Sequence, residues 1–370
     1  MNGHVRTSIA RSIDGMTAAC AIMAAVACGS ADSPARDGLD PPRCVECSIA
    51  LTPVIQIGFT EAPVAPASGA LIALDRNHER FMLVAAPFRS EFHEFDASGR
   101  YVTSVGQEGP GPEEYSFIAA LEFDASDSLW VFDTGNARID VFGPDLTRAR
   151  SLPLEGTVQD VIALNDGTFA IRGILTDSTG AISVARLLRR DGSTFPLVRE
   201  GDGPSGVDPA GELGALAEDR DRRQLWVSAL HAYSIQLRST FGEVDRTFER
   251  APPWFQVASP SVLDRYPDLD LQPTILDLAV DVTGKLWVIA GTTDRHLPPP
   301  EAATDGVVDI DDWVDTVIEV IDPAGGALIT SARFDHAPPR FLRDGLVYRV
   351  VFDPNGQPWI DISRFDYTEF

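Results

Sequence analysis

The chain has little cysteine, little positive charge and no long apolar run. Four cysteines are spread over 370 residues. That is too few for a disulfide-built scaffold and offers no paired zinc motif. Thirty Lys and Arg stand against 55 Asp and Glu, a formal net charge of −25. A surface of that sign does not bind nucleic acid or an anionic bilayer electrostatically. The apolar segment Met16–Ala27 is too short to span a bilayer. No Gly-rich loop ending in Lys-Ser/Thr and no Gly-x-Ser-x-Gly elbow occurs, so the phosphate-loop and serine-hydrolase signatures are missing.

The N-terminus reads as an export signal. Arg6 and Arg11 precede the apolar Met16–Ala27, and Ala25-Val26-Ala27-Cys28 closes it. This resembles a bacterial lipoprotein signal with Cys28 as the lipidated residue, although Ala25 stands where Leu is usual. The same small residues also fit simple signal cleavage. The expected organisation is a signal over 1–27, a polar tether over 28–47 and one domain over 48–370. Cys44 and Cys47 form a CxxC for which a local disulfide is the default in an exported chain.

A strand–turn–strand unit recurs along the domain. Phe81–Val84, Leu129–Phe132, Phe169–Arg172, Leu225–Ser228, Leu286–Ile289 and Pro358–Asp361 align, and four of the six carry Trp at the same place. Each follows a polar turn such as DASDS, DVTGK or DPNGQ and an apolar strand. A second set of turns follows each hairpin but numbers five, because the chain ends first. The unmatched strand Thr52–Gly58 can supply the missing outer strand and close a ring. The segment Asp133–Phe142 (DTGNARIDVF) resembles the NHL-repeat signature, with Ala137 in place of His, and Gly106–Tyr115 resembles the Gly-rich crossover of exported bacterial members. The resemblance implies an all-β, six-bladed β-propeller. It implies no single activity.

In a propeller, first-to-second and third-to-fourth turns share one face, and second-to-third loops and crossovers share the other. The two long insertions belong to the second class: the crossover from Arg250 to Thr274, and the loop from Gly291 to Thr316. They follow one another in the ring and are expected to meet. Trp254, Phe255, Arg265, Tyr266, Arg295, His296 and Trp313 are therefore the candidate binding residues, with Tyr115, Arg138, Arg172, His231 and Arg364 nearer the axis on the same face. Asp309, Asp311 and Asp312 are weak candidates for Ca²⁺, without the EF-hand glycine or terminal Glu. The sequence carries the signature of no other cofactor.

The functional reading is an exported, lipid-anchored module that binds a small molecule or an envelope protein, without catalysis of its own. It touches no nucleic acid, and touches the membrane only through its anchor. The alternative is a metal-dependent lactonase- or lyase-like enzyme on the same scaffold. A second alternative is a structural subunit of an envelope complex.

Overall fold

The computed structural model describes residues 40–58, 65–67, 69–86, 89–204, 213–219, 223–259, 262, 272–297, 313–353 and 355–368. Cys28, Arg265, Tyr266, Asp309, Asp311 and Asp312 lie outside them. The described chain is a ring of six four-stranded antiparallel sheets, and no α-helical element occurs among the described residues.

The strands run in chain order. β1 (Ser48–Ile57) comes first. Blade 1 is β2 (Leu71–Leu74), β3 (Arg80–Val84), β4 (Phe92–Asp96) and β5 (Tyr101–Val105). A short parallel pair, β6 (Gln107–Glu108) and β7 (Glu114–Tyr115), lies in the crossover. Blade 2 is β8 (Ile118–Phe123), β9 (Leu129–Asp133), β10 (Arg138–Phe142) and β11 (Arg148–Pro153). Blade 3 is β12 (Gly156–Ala163), β13 (Phe169–Thr176), β14 (Ile182–Leu188) and β15 (Thr194–Arg199). Blade 4 is β16 (Leu213–Asp219), β17 (Gln224–Ala229), β18 (Ser234–Ser239) and β19 (Val244–Glu249). Blade 5 is β20 (Thr274–Val280), β21 (Leu286–Thr293), β22 (Val314–Asp322) and β23 (Ala327–Phe334). Blade 6 is β24 (Arg340–Phe341), β25 (Leu346–Phe352) and β26 (Pro358–Thr368), with β1 outermost.

Local chemistry fixes the hairpins. In blade 2, Asp124 Oδ1 accepts from the Ser126 and Ser128 amides, closing the turn. Its Oδ2 accepts from Trp130 Nε1 at 3.2 Å, so the repeated Trp is pinned to the repeated turn. Blade 5 repeats the device between Asp281 and Trp287 at 2.9 Å. In these two blades the indole buries a large apolar ring while its N–H keeps a partner; the Trp226 and Trp359 indole nitrogens make no such bond. Alternate side chains of each sheet then pack into the spaces between blades, which hold the apolar clusters.

Closure uses the N-terminal strand. Ile55 pairs with Ile362, Gln56 with Asp361 and Ile57 with Ile360. The last blade thus takes three strands from the C-terminal end of the chain and its outermost strand from the N-terminal end. Gly99 tests this position. It sits at φ +78° in the third-to-fourth turn of blade 1, and a Cβ there would lie 2.8 Å from the Gln56 carbonyl oxygen. Gly242 in blade 4 meets the Leu197 carbonyl of its neighbour's outer strand in the same way. So β1 stands to blade 1 as β15 stands to blade 4, as the outer strand of the preceding blade.

Two sequence expectations change. Pro358–Asp361 is not in phase with the other Trp strands: β25 and β26 are the second and third strands of blade 6, and the first is the two-residue β24. The Asp353–Gln357 turn makes the same backbone hydrogen bonds as Asp281–Lys285, so its sequence cannot tell which hairpin it closes. Residues 40–47, read as the end of a tether, are held on the ring. The Arg43 and Cys44 amides donate to the Leu328 and Ile329 carbonyls, and Asp40 pairs with Arg250 at 2.7 Å. Cys44 and Cys47 are joined as a disulfide, with Cys47 fully buried.

Deleting residues 48–57 should expose the edge of β26 and unroof the apolar clusters on both sides of blade 6. The expected outcome is loss of the monomer peak in size-exclusion chromatography and of a cooperative thermal transition. A monomeric, cooperatively melting deletion protein would contradict closure by β1.

Candidate functional site

The two insertions do meet on the crossover face, but through an apolar contact. Ala258 and Val262 of the crossover pack with Leu297 and Trp313 of the loop. Thr292 Oγ1 donates to the Trp254 carbonyl at 3.0 Å. Trp254 is 6% exposed, Phe255 9% and Trp313 4%. None offers an aromatic face to solvent. Trp254 and Phe255 pack edge to face on each other and on Tyr233. The reason is the fully buried Glu319 on β22, which accepts from Trp254 Nε1 at 3.2 Å and also from Tyr233 Oη and Arg250. Burial raises the Glu319 carboxyl, and Arg250 and the three donors oppose the rise. A buried carboxylate needs such a donor set, and the insertion supplies two of its members, Arg250 and Trp254, beside Tyr233 of blade 4.

The other candidates scatter. Tyr115 is fully buried, with Arg138 5.5 Å from its ring centre. Arg138 donates to the Pro110 and Glu114 carbonyls, and Asn136 Nδ2 to the Gly109 carbonyl at 2.9 Å, so DTGNAR clamps the Gly-rich crossover. Arg295 shares Asp315 with Arg333. The half-buried His231 lies 3.3 Å from both the Pro273 carbonyl and Thr274 Oγ1. Arg364 pairs with Leu346 beside the Arg343–Gly345 turn, on the short-turn side and not the crossover face. His296 is exposed, and it forms with Asp294 and Asp335 a group whose ligand atoms all lie within 4.8 Å of one another. Among the described residues this is the group with metal-ligand geometry, and it lies outside the central channel.

What the sequence reading missed is that channel. A cavity of about 830 Å³ runs along the axis, lined by β2, β8, β12, β16, β20, β24 and β25. The inner strand of each blade is a sheet edge, so backbone polar groups face the axis. The walls mix Leu71, Leu121, Val161 and Leu276 with Glu122, Asp160, Glu218, Asp277, Arg340 and Arg343. Of the predicted residues, Arg364 lines the cavity, and Arg172 adjoins it, donating to the Leu213 carbonyl at 2.9 Å and lying 3.9 Å from Asp160. Arg343 donates to Glu122 at 2.9 Å. Burial pushes the Glu122 carboxyl up to about 7 against the pull of Arg343, and pushes Asp277 up to about 7 against that of Arg340. A charged residue every few positions on otherwise apolar inner strands was the available signal. It needs the ring to bring those strands together.

A family model described as DUF5128, 6-bladed beta-propeller, matches residues 76–170. No curated protein matches. A DUF4221-family protein of Bacteroides vulgatus is similar in structure, with TM-score 0.57 and 10% identity, over 87% of this chain and 99% of that one. A Bacteroides fragilis protein thought to be exported gives TM-score 0.52 and 12% identity, over 88% and 97%. A gluconolactonase of Xanthomonas campestris gives TM-score 0.48 and 16% identity, over 91% and 98%. At these identities the likeness is one of fold. The chain is a six-bladed β-propeller.

Two outcomes follow from this geometry. Trp254→Ala should lower stability by about 3–5 kcal/mol, because it opens a cavity in the core and removes a donor from Glu319; a melt within 1 °C of the parent, a shift of roughly 0.7 kcal/mol or less, would contradict the packing role. The raised Glu122 and Asp277 bind protons more tightly folded than unfolded. Their contribution to stability is therefore full below the ordinary carboxylate range and is lost as pH rises through about 7. Asp96, held at about 2 by Ser98 and Arg100, titrates below this window. Between pH 5 and 8 the parent should lose melting temperature, and Glu122→Gln with Asp277→Asn should flatten that slope. An unchanged slope would refute the assignment.

Proposed function

We propose that the protein is an exported, NHL-type propeller, lipid-anchored through Cys28, which binds a small molecule in its axial channel and has no catalysis of its own. The observation that carries the reading is the channel: about 830 Å³ with apolar walls and a few ionisable groups. That volume lies within the range of small-molecule pockets, roughly 300–1,000 Å³. The crossover-face aromatics, which sequence alone favoured, are committed to the core and do not support docking there. The tether is the polar segment ahead of Asp40, which is pinned to Arg250 at the rim.

A metal-dependent enzyme on the same scaffold is the second reading, favoured only by the Asp294, His296 and Asp335 group. Stoichiometric metal in the purified protein, lost in His296→Ala, would bring it forward.

The test is a thermal-shift screen of polar and amphiphilic metabolites run in parallel on the parent and on Leu276→Trp, which fills the channel. Ligands that raise the parent's melting temperature by about 2 °C or more and leave the filled variant unmoved are the expected result. Equal shifts in both proteins would defeat the channel reading. Cys28→Ser should move the protein from the detergent to the aqueous phase on Triton X-114 partition; no change would defeat the lipid anchor.

A further inference from the structure

We propose that the channel binds a short apolar peptide in extended conformation, which pairs with the inner edge of β25 and extends the innermost strand of blade 6. The inference rests on the channel reading above and names its ligand class.

Blade 6 has an innermost strand of two residues, where β8, β12, β16 and β20 have six to eight. β24 pairs only with Val347 and Tyr348, while β25 runs on to Phe352 against β26. Pro338 and Pro339 precede β24 in the chain. Proline has no N–H, so this segment cannot carry the ladder further. In an antiparallel ladder, alternate residues turn their N–H and C=O to opposite sides. The Leu346 carbonyl accepts from the Leu342 amide on the β24 side, and the Asp353 amide donates to the Gln357 carbonyl on the β26 side. The even-numbered residues of β25 therefore point their backbone groups toward the axis. Tyr348 faces Arg340 there. Val350 and Phe352 follow, and among the described residues no backbone partner meets them on that side.

The channel reaches this edge. Val350 and Phe352 both line it, together with Leu71 of blade 1 and Leu276 of blade 5. Val350 packs on the apolar cluster between blades 6 and 1, and strand alternation puts Phe352, 42% exposed, on the same face. In the other five blades the place beside the second strand is filled by the blade's own innermost strand, so the ring itself shows that an extended chain fits there. A donor and an acceptor repeated at every second residue are matched in register by another extended backbone, which is the basis of strand addition at a sheet edge. The side-chain chemistry follows from the same comparison. The innermost strands LIAL, IAALEF and LGALAED are dominated by Ala, Leu and Ile, and a peptide in the equivalent place meets the same kind of walls.

The probe is a pool of acetylated, amidated tetrapeptides of Ala, Leu, Val and Thr, brought to equilibrium by dialysis against the full chain, with enriched members read by mass spectrometry. Enrichment of a subset is the expected result. The best member is then titrated calorimetrically beside two analogues, each N-methylated at one alternate set of amides and unchanged in its side chains. One analogue should bind about tenfold or more weaker, through lost ladder hydrogen bonds, and the other should bind nearly as the parent peptide does. Val350→Pro removes an N–H that β25 does not spend on β26; it should melt cooperatively and lose the peptide. The two analogues on the unmodified protein decide the question even if that variant does not fold. Equal binding by all three peptides, or a folded Val350→Pro that still binds, overturns strand addition; if that binding is lost in Leu276→Trp, the channel reading stands. No enriched peptide overturns the peptide class alone when the metabolite screen yields channel ligands, and overturns both readings when it yields none. Peptide binding that survives in Leu276→Trp also overturns both.

Discussion

The structure depends on the nine residue pairs between β1 and β26. Every other blade completes itself from consecutive strands. Blade 6 does not, because its outermost strand is β1. Until β1 arrives from the other end of the sequence, β26 is an open edge, and the clusters between blades 5 and 6 and between blades 6 and 1 lack one wall. A contact spanning more than 300 residues carries a large loop-closure cost, but that cost grows only slowly with length. Two apolar interfaces and a strand ladder offset it. The segment ahead of β1 adds to the closure. Its two backbone bonds to β23, its disulfide and the Asp40–Arg250 pair fix the approach of the strand to the ring.

The same economy explains the long crossover. An insertion rich in Trp and Phe has the composition of a binding loop, and also that of a plug. Glu319 decides between them. A carboxylate fully buried on the third strand of blade 5 is stable only with donors around it, and Tyr233, Arg250 and Trp254 are those donors. Arg250 also pairs with Asp40, so one cation ties together the N-terminal segment, the crossover and blade 5. The aromatic rings follow their polar tips into the core.

The channel arises from a different constraint. Radial sheets leave their innermost strands unpaired toward the axis, and six of them enclose a space that cannot be closed by backbone pairing. Small and apolar side chains narrow it, and a few acids and arginines satisfy what water would otherwise have to. Because these groups come from different blades, their mutual distances are a property of the ring. The elevated Glu122 and Asp277 are its result: each carboxyl is ordinary in its own strand and becomes unusual only when several strands exclude solvent around it.

The sequence by itself determined the strands, the short turns and the number of blades. These rest on contacts within a few residues, such as Asp124 with Ser126 and Trp130, repeated by Asp281 with Thr283 and Trp287. It also marked the N-terminal strand as the missing one, since five outer turns for six hairpins leave a single vacancy. The tertiary structure alone decided the phase of the last blade, because the Asp353–Gln357 turn is chemically equal to Asp281–Lys285 and only pairing with β24 and β1 separates them. It alone decided that Trp254 and Trp313 are core and that Arg364 lies on the other side. Composition tells what a side chain can do, while burial depends on which distant residues need it. The channel belongs wholly to this second class, since Glu122, Asp160 and Asp277 lie on three different strands and meet only once the ring is closed.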